Sequence, residues 1–188
     1  MRLVPALFAC GLSACAGSPS STFESGDDGW TLGNNGASTK PNFDQQEGNP
    51  AGNICGKDAD PNDIWYFVAP GEFLGDESTS YGKRLTFDLK QGESFSQIRG
   101  RDVILNGGGL ALTVNFRLPP GRDWTPYSIA LSDQGGWTID DQTGRGVAAT
   151  ADDLRMVLGA LTSLRIRGEF FDGPEGTACL DNVYFGRK

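Results

Sequence analysis

Carboxylates dominate the chemistry open to this chain. Its 188 residues carry 24 Asp and Glu against 16 Lys and Arg, a net charge of −8, and no histidine. Without histidine there is no Ser-His-Asp or Cys-His relay, and the commonest zinc ligand is missing. Two-carboxylate glycoside chemistry and an oxygen-only cation site remain open. Adjacent acids occur at Asp27-Asp28, Asp140-Asp141 and Asp152-Asp153. Neighbours on a strand point to opposite faces, so Asp140 and Asp141 cannot converge unless the strand ends there. Asp152 and Asp153 sit where a helix start would use them. A glycosidase holds two carboxyl groups about 5–10 Å apart across a cleft, and no spacing here selects such a pair. The chain therefore reads as non-catalytic. It lacks a basic footprint for nucleic acid. Gly107-Gly108-Gly109 precedes a strand pattern with no Lys-Ser/Thr, so it reads as a turn, not a phosphate loop.

Aromatic side chains are the next groups able to meet a ligand. Trp124, Tyr127 and Trp137 lie near the polar stretch Pro119-Pro120-Gly121-Arg122-Asp123, where rings beside polar groups suit sugars. The competing reading for Trp124 and Trp137 is packing in the core or at its edge. Trp30, Trp65, Tyr66, Phe67 and Phe116 fall in strand patterns and read as core. Arg165 and Arg167 alternate on one strand and read as a solvated face within reach of Glu169 or Asp88.

The N-terminus reads as a leader, with Arg2 followed by an apolar run, Leu3 to Leu12, too short to span a bilayer. Leu12-Ser13-Ala14-Cys15 resembles the lipobox of bacterial lipoproteins, which implies a signal peptide over 1–14 and lipidation at Cys15. Cleavage after Ala16 at a small-x-small site is the other reading; both imply export. Acyl chains on Cys15 would anchor the chain to a membrane. Ala16 after that cysteine resembles outer-membrane rather than inner-membrane retention. Residues 15–22 read as a flexible Ser-rich tether and 23–188 as one domain. From Cys15 onward the chain has 15 basic and 24 acidic residues, a net of −9. Cys10 belongs to the leader, which leaves Cys55 and Cys179. An exported domain with two cysteines is expected to pair them, with about 5 kcal/mol from the chain-entropy effect of a loop this long. Two buried unpaired thiols are the alternative.

The elements that must position these residues are mostly strands, as 27 glycines and 38% hydrophobic content suggest for a turn-rich chain. Trp30-Thr31-Leu32 predicts an early strand. Residues 33–63 read mostly as loop, with one short strand near Asn53-Ile54-Cys55. Further strands are expected near 64–68, 84–90, 102–106, 110–116, 127–131, 136–139, 163–170 and 179–185. One helix is expected, capped by Thr150 with Asp153 completing an imperfect capping box. Leu154, Val157, Leu158 and Leu161 would form its apolar stripe.

Three blocks resemble the laminin IV type A (laminin B) family: Ile64 to Gly82 (IWYFVAPGEFLGDESTSYG) running into LTFDL, Asp152 to Arg167 (DDLRMVLGALTSLRIR), and Leu180 to Phe185 (LDNVYF). The resemblance spans about residues 50–185 and implies an all-β, antiparallel β-sandwich of jelly-roll, galactose-binding-like type. It implies a surface binding module for protein interaction or adhesion. Members stand in long animal matrix proteins, so behind this leader their basement-membrane roles do not carry over. Phe23-Glu24-Ser25-Gly26 with Trp30, and Leu180-Asp181-Asn182-Val183, resemble the first and last strands of jelly-roll carbohydrate-binding modules. That resemblance implies structural calcium at Glu24 and Asp181, completed by Asp27, Asp28 or carbonyls near Asn49. The plain alternative is a surface acid and a turn or strand residue. The sequence thus leads to an exported, lipid-anchored binding module of a bacterial envelope, at the outer membrane or cell surface. Its partner is a surface protein, with a glycan or a purely structural role as alternatives.

Overall fold

The computed structural model describes residues 18–34, 37–57, 64–93, 100–171 and 176–188. The leader, Cys15 and residues 16–17 of the tether lie outside the described residues. The strands are β1 (Ser20–Ser21), β2 (Thr31–Asn34), β3 (Ala37–Thr39), β4 (Asn42–Gly48), β5 (Ala51–Lys57), β6 (Tyr66–Val68), β7 (Arg84–Gln91), β8 (Val103–Gly107), β9 (Leu110–Val114), β10 (Thr125–Ala130), β11 (Thr138–Ile139), β12 (Leu161–Arg167) and β13 (Thr177–Arg187). One helix, α1 (Ala151–Gly159), precedes β12.

All pairings are antiparallel and form two sheets. The first runs β10-β7-β13-β5-β4, with β1 also on β13. The second runs β11-β9-β8-β12-β6-β2-β3. Alternation decides what each sheet buries. Leu85, Phe87 and Leu89 on β7 are buried while Thr86, Asp88 and Lys90 between them are not. They join Leu180 and Phe185 of β13, and Phe67, Leu105, Leu164 and Ile166 of the second sheet, in one core. Each such side chain contributes about 1.5–3 kcal/mol by leaving water. This is the expected all-β jelly-roll-type sandwich with one short helix.

The helix begins at Thr150 as expected. Asp153 N–H donates to Thr150 Oγ1 at 3.2 Å and Thr150 N–H to Asp153 Oδ2 at 2.8 Å, so the capping box is complete. Leu154, Val157 and Leu158 are buried. Leu161, expected on the same stripe, instead starts β12. The hairpin of β8 and β9 turns on Gly108 and Gly109, both at positive φ (55° and 81°), as a two-residue hairpin turn requires.

Two expectations need correction. Residues 33–63 are not mostly loop, since β3, β4 and β5 lie within them. The polar edge strand β4 lacks apolar alternation. In β5, Gly52 and Gly56 look like loop residues but are close-approach positions. A Cβ on Gly52 would lie 2.4 Å from the Phe23 carbonyl oxygen, and one on Gly56 would lie 2.6 Å from the Trp65 ring. Residues 18–22 are also not a free tether. Ser20 and Ser21 pair with Tyr184 and Val183, and Ser18 Oγ donates to the Gly186 carbonyl at 3.1 Å. Backbone pairing needs no apolar side chain, so composition did not reveal it.

Cys55 and Cys179 are direct register partners on β5 and β13 and form a disulfide. Their pairing follows the expectation for the exported domain.

Candidate functional site

Asp181 sits on β13 at an irregularity in its pairing with β7, and Asn182 beside it has φ 53°. Asp181 is fully buried. Its Oδ2 accepts from Asn49 N–H and its Oδ1 from Asn182 N–H, both at 2.6 Å. Asn182 Nδ2 donates to Asp88 Oδ2 at 2.9 Å and also to the Asn49 carbonyl. Asn49 Nδ2 donates to Asp88 Oδ2 at 3.2 Å. No cation is in contact with Asp181 in this network, and burial raises its carboxyl to about 6, against the lowering from its two backbone donors.

The calcium expected at Glu24 and Asp181 is not supported by this geometry. A calcium shell needs six to eight oxygen ligands. Both Asp181 oxygens accept backbone N–H groups, while the Asn49 carbonyl and Asp88 Oδ2 accept from Asn182 Nδ2. Glu24 is exposed and makes no hydrogen bond or ion pair among the described residues, while Asp27 pairs with Lys40 at 3.5 Å and Asp28 accepts from Phe23 N–H. Among the described residues no three His, Cys, Asp or Glu side chains gather to hold a metal ion. Asn49 does reach Asp181, through its backbone N–H, and its carbonyl accepts from Asn182 Nδ2 in the same network.

The three ring candidates part company. Trp137 is 1% exposed and donates from Nε1 to the Ala130 carbonyl at 2.7 Å, so it is a core residue with no face for a ligand. Trp124 is half-buried, with Lys90 Nζ 4.7 Å from its ring centre. Tyr127 stacks on Phe116 at 4.0 Å and on Phe87 at 5.4 Å, and its hydroxyl donates to the Leu118 carbonyl at 2.9 Å. Burial pushes its phenol well above the ordinary tyrosine range. This stack joins β10, an edge strand of the first sheet, to Phe116 beyond β9, which is next to the edge of the second. Outside it lies a cavity of about 710 Å³, bounded by β10, by residues 114–118 and by the turn after Leu131.

The acids that could have formed a catalytic pair are each engaged elsewhere. Asp140 pairs with Arg101 at 2.7 Å. Asp141 accepts from Thr143 N–H and Oγ1 at 2.9 and 2.8 Å. Asp152 pairs with Arg155 at 3.2 Å, and Asp153 caps α1.

The profile of the laminin B (domain IV) family matches residues 66–186. The chain belongs to the laminin B family. It is 32% identical over 169 residues to laminin subunit gamma-2 of Homo sapiens, covering 87% of this chain and 13% of that protein. It is 33% identical over 158 residues to laminin subunit gamma-1 of Xenopus tropicalis, covering 83% of this chain and 9% of that protein. The chain therefore spans about a tenth of the length of these relatives. The L4b domain of human laminin alpha-2 superposes with a TM-score of 0.64 at 14% identity, over 90% of this chain and 98% of that one. The family 11 carbohydrate-binding module of Lic26A-Cel5E from Clostridium thermocellum gives 0.50 at 12% identity, over 92% and 98%. These two likenesses concern the fold.

In this laminin B domain, sequence reasoning missed a second buried acid. Asp102, 3% exposed, precedes β8 and forms an ion pair with Arg167, 1% exposed. Asp102 Oδ2 also accepts from Phe116 N–H at 2.5 Å, and Arg167 Nη1 donates to the Gly100 carbonyl at 2.7 Å. Arg167 lies over the Phe170 ring at 4.7 Å, and Arg165 over Tyr66 at 5.3 Å. The expected solvated face of Arg165 and Arg167 is thus covered. Burial lowers the pKa of both guanidinium groups, with Asp102 opposing the shift at Arg167. The strand pattern placed these arginines on one face correctly. It held no sign of the chain that covers that face, nor of the exposed Arg84 and Arg117 beside the cavity.

Proposed function

We propose that this laminin B domain is a non-catalytic, exported binding module that engages a protein partner at the cell surface. Family membership carries this reading. The laminin relatives are extracellular, which agrees with export by the leader. The engagement of every adjacent acid pair in the described fold supports a role without chemistry. The lipobox-like Leu12 to Cys15 supports an anchor in a bacterial envelope, at the outer membrane or cell surface. Only residues 16 and 17 separate an anchor at Cys15 from Ser18, which is bonded to Gly186. At about 3.5 Å per residue the domain would lie almost against the membrane.

The experiment is biolayer interferometry of the purified full chain against an extracellular-protein array, beside hydrolysis assays on glycoside and peptide libraries. Saturable binding to a defined protein, without turnover, is expected. Turnover of any library member that survives repurification and is lost on unfolding would overturn the non-catalytic reading. A glycan ligand is the second reading, favoured by the cavity beside Tyr127.

A further inference from the structure

We propose that the cavity outside Tyr127 is a subsite for an acidic saccharide, a sugar chain bearing carboxylate or sulfate groups. This rests on reading the domain as a binding module and names a ligand class for it. The cavity, about 710 Å³, has the size of a small-ligand site. Its lining includes Arg84 and Arg117 and no Asp or Glu, although the chain carries a net charge of −8. A locally positive concavity on an acidic protein is a charge pattern that draws anions.

The two guanidinium groups are not spent on protein carboxylates. Arg84 is exposed and held in place by Ser128, with Nε donating to Oγ at 2.5 Å and Nη2 to the carbonyl at 2.8 Å. Nη1 and the second Nη2 hydrogen remain free to meet an anion. Arg117 is exposed and makes no ion pair among the described residues. Arg187, the register partner of Arg84 on β13, is not part of the lining and lies over the Tyr184 ring at 4.4 Å. Asp133, in the turn at the cavity edge, accepts from the Tyr81 hydroxyl at 3.2 Å. A second cavity, about 300 Å³, is lined by Lys90 and Arg122, but these pair with Glu47 at 3.8 Å and Glu93 at 3.4 Å. The unneutralised charge therefore belongs to the first cavity.

A saccharide fits this wall better than an acidic peptide. An extended peptide would need the free edge of β10. Leu131 N–H bonds to the Lys83 carbonyl on the β7 side, so alternation turns the backbone groups of Pro126, Ser128 and Ala130 outward. Pro126 has no N–H, Arg84 occupies the Ser128 carbonyl, and Trp137 occupies the Ala130 carbonyl. Three of the six outward backbone groups are thus missing or occupied, which disfavours strand addition. Hydroxyl and amide groups from Ser128, Ser132 and Gln134, beside the apolar Phe116 and Leu118, suit a sugar's mixed surface.

Calorimetry with the full chain in mild detergent tests this. The probes are a heparin hexasaccharide, hexagalacturonate, neutral cellohexaose, a hexaglutamate peptide and phosphatidylglycerol vesicles. At least one acidic saccharide should bind, tenfold or more tighter than cellohexaose and the peptide, and more weakly at higher salt. Arg117→Gln should cut that affinity about tenfold with no change in melting temperature, while Arg122→Gln should leave it unchanged. Amide shifts on titration should centre on Ser128 and Phe116. Absence of binding to both acidic saccharides, equal binding of hexaglutamate or the vesicles, or indifference to Arg117→Gln would each overturn the proposal. A protein partner retained by Arg117→Gln alongside saccharide failure would leave the module reading standing.

Discussion

Asp181 on β13 and Asp102 just before β8 are both almost wholly buried aspartates, and they are compensated in different ways. Asp102 faces the guanidinium of Arg167. Asp181 faces only neutral N–H groups and has Asp88 as its register partner. Dipoles from two backbone amides do not offset the desolvation of a full charge, and the Asp181 carboxyl is pushed up to about 6. An opposite charge offsets it at Asp102, at the cost of binding Arg167 to the same fate. The difference shows that one buried charge can be switched off by a proton, while the other is locked to its partner.

The largest expected effect breaks the paired side. Asp102→Ala leaves Arg167 buried and unpaired, and urea unfolding should show a loss of about 3–5 kcal/mol. Replacing both residues by Leu and Met should cost clearly less than Asp102→Ala alone, and an equal or greater cost would show that the pair itself is the main stabiliser.

The unpaired side should appear as pH dependence. The folded pKa of Asp181, about 6, lies above the ordinary 3.8, so between those values the folded state holds the extra proton. Stability should therefore fall as pH rises from about 4 to about 6, by up to about 3 kcal/mol, and the penalty should be complete above that window. Denaturant melts across the window check this, and Asp181→Asn should flatten the slope. A wild-type slope that survives the substitution would place the titration elsewhere.

A smaller change sharpens the contrast. Asp88 raises the Asp181 carboxyl as the last of its causes, so Asp88→Asn should lower the Asp181 midpoint slightly, read from its carboxyl carbon signal by NMR. The smallest expected effect is that of calcium. Because donors surround Asp181, millimolar calcium against chelator should leave the melting temperature unchanged. A clear upward shift would mean that the amides reorient around a cation.

Much of the fold was legible, and the reasons differ by element. The period-two pattern of Leu85, Phe87 and Leu89 marked β7, and Thr150 with Asp153 marked the start of α1, because both signals are local. Strand β5 was mostly hidden, since its glycines reflect contacts with Phe23 and Trp65 far away in sequence. Of the candidate sites, the sequence marks Asp181 with Asn49 near it, but the ligand role expected of them rests on likeness to other folds. Trp137 and Tyr127 were singled out together, and packing alone separates the core ring from the one beside the cavity.

Strand alternation, the capped helix, the glycine hairpin, the absence of imidazole chemistry and the family all follow from the order of the residues. These depend on residue type and short spacing. Which charges are buried, which arginines stay outside ion pairs and which groups of the β10 edge are occupied follow from the packed fold. Those outcomes depend on which distant segments cover a face, and no local pattern encodes the dielectric a side chain will meet.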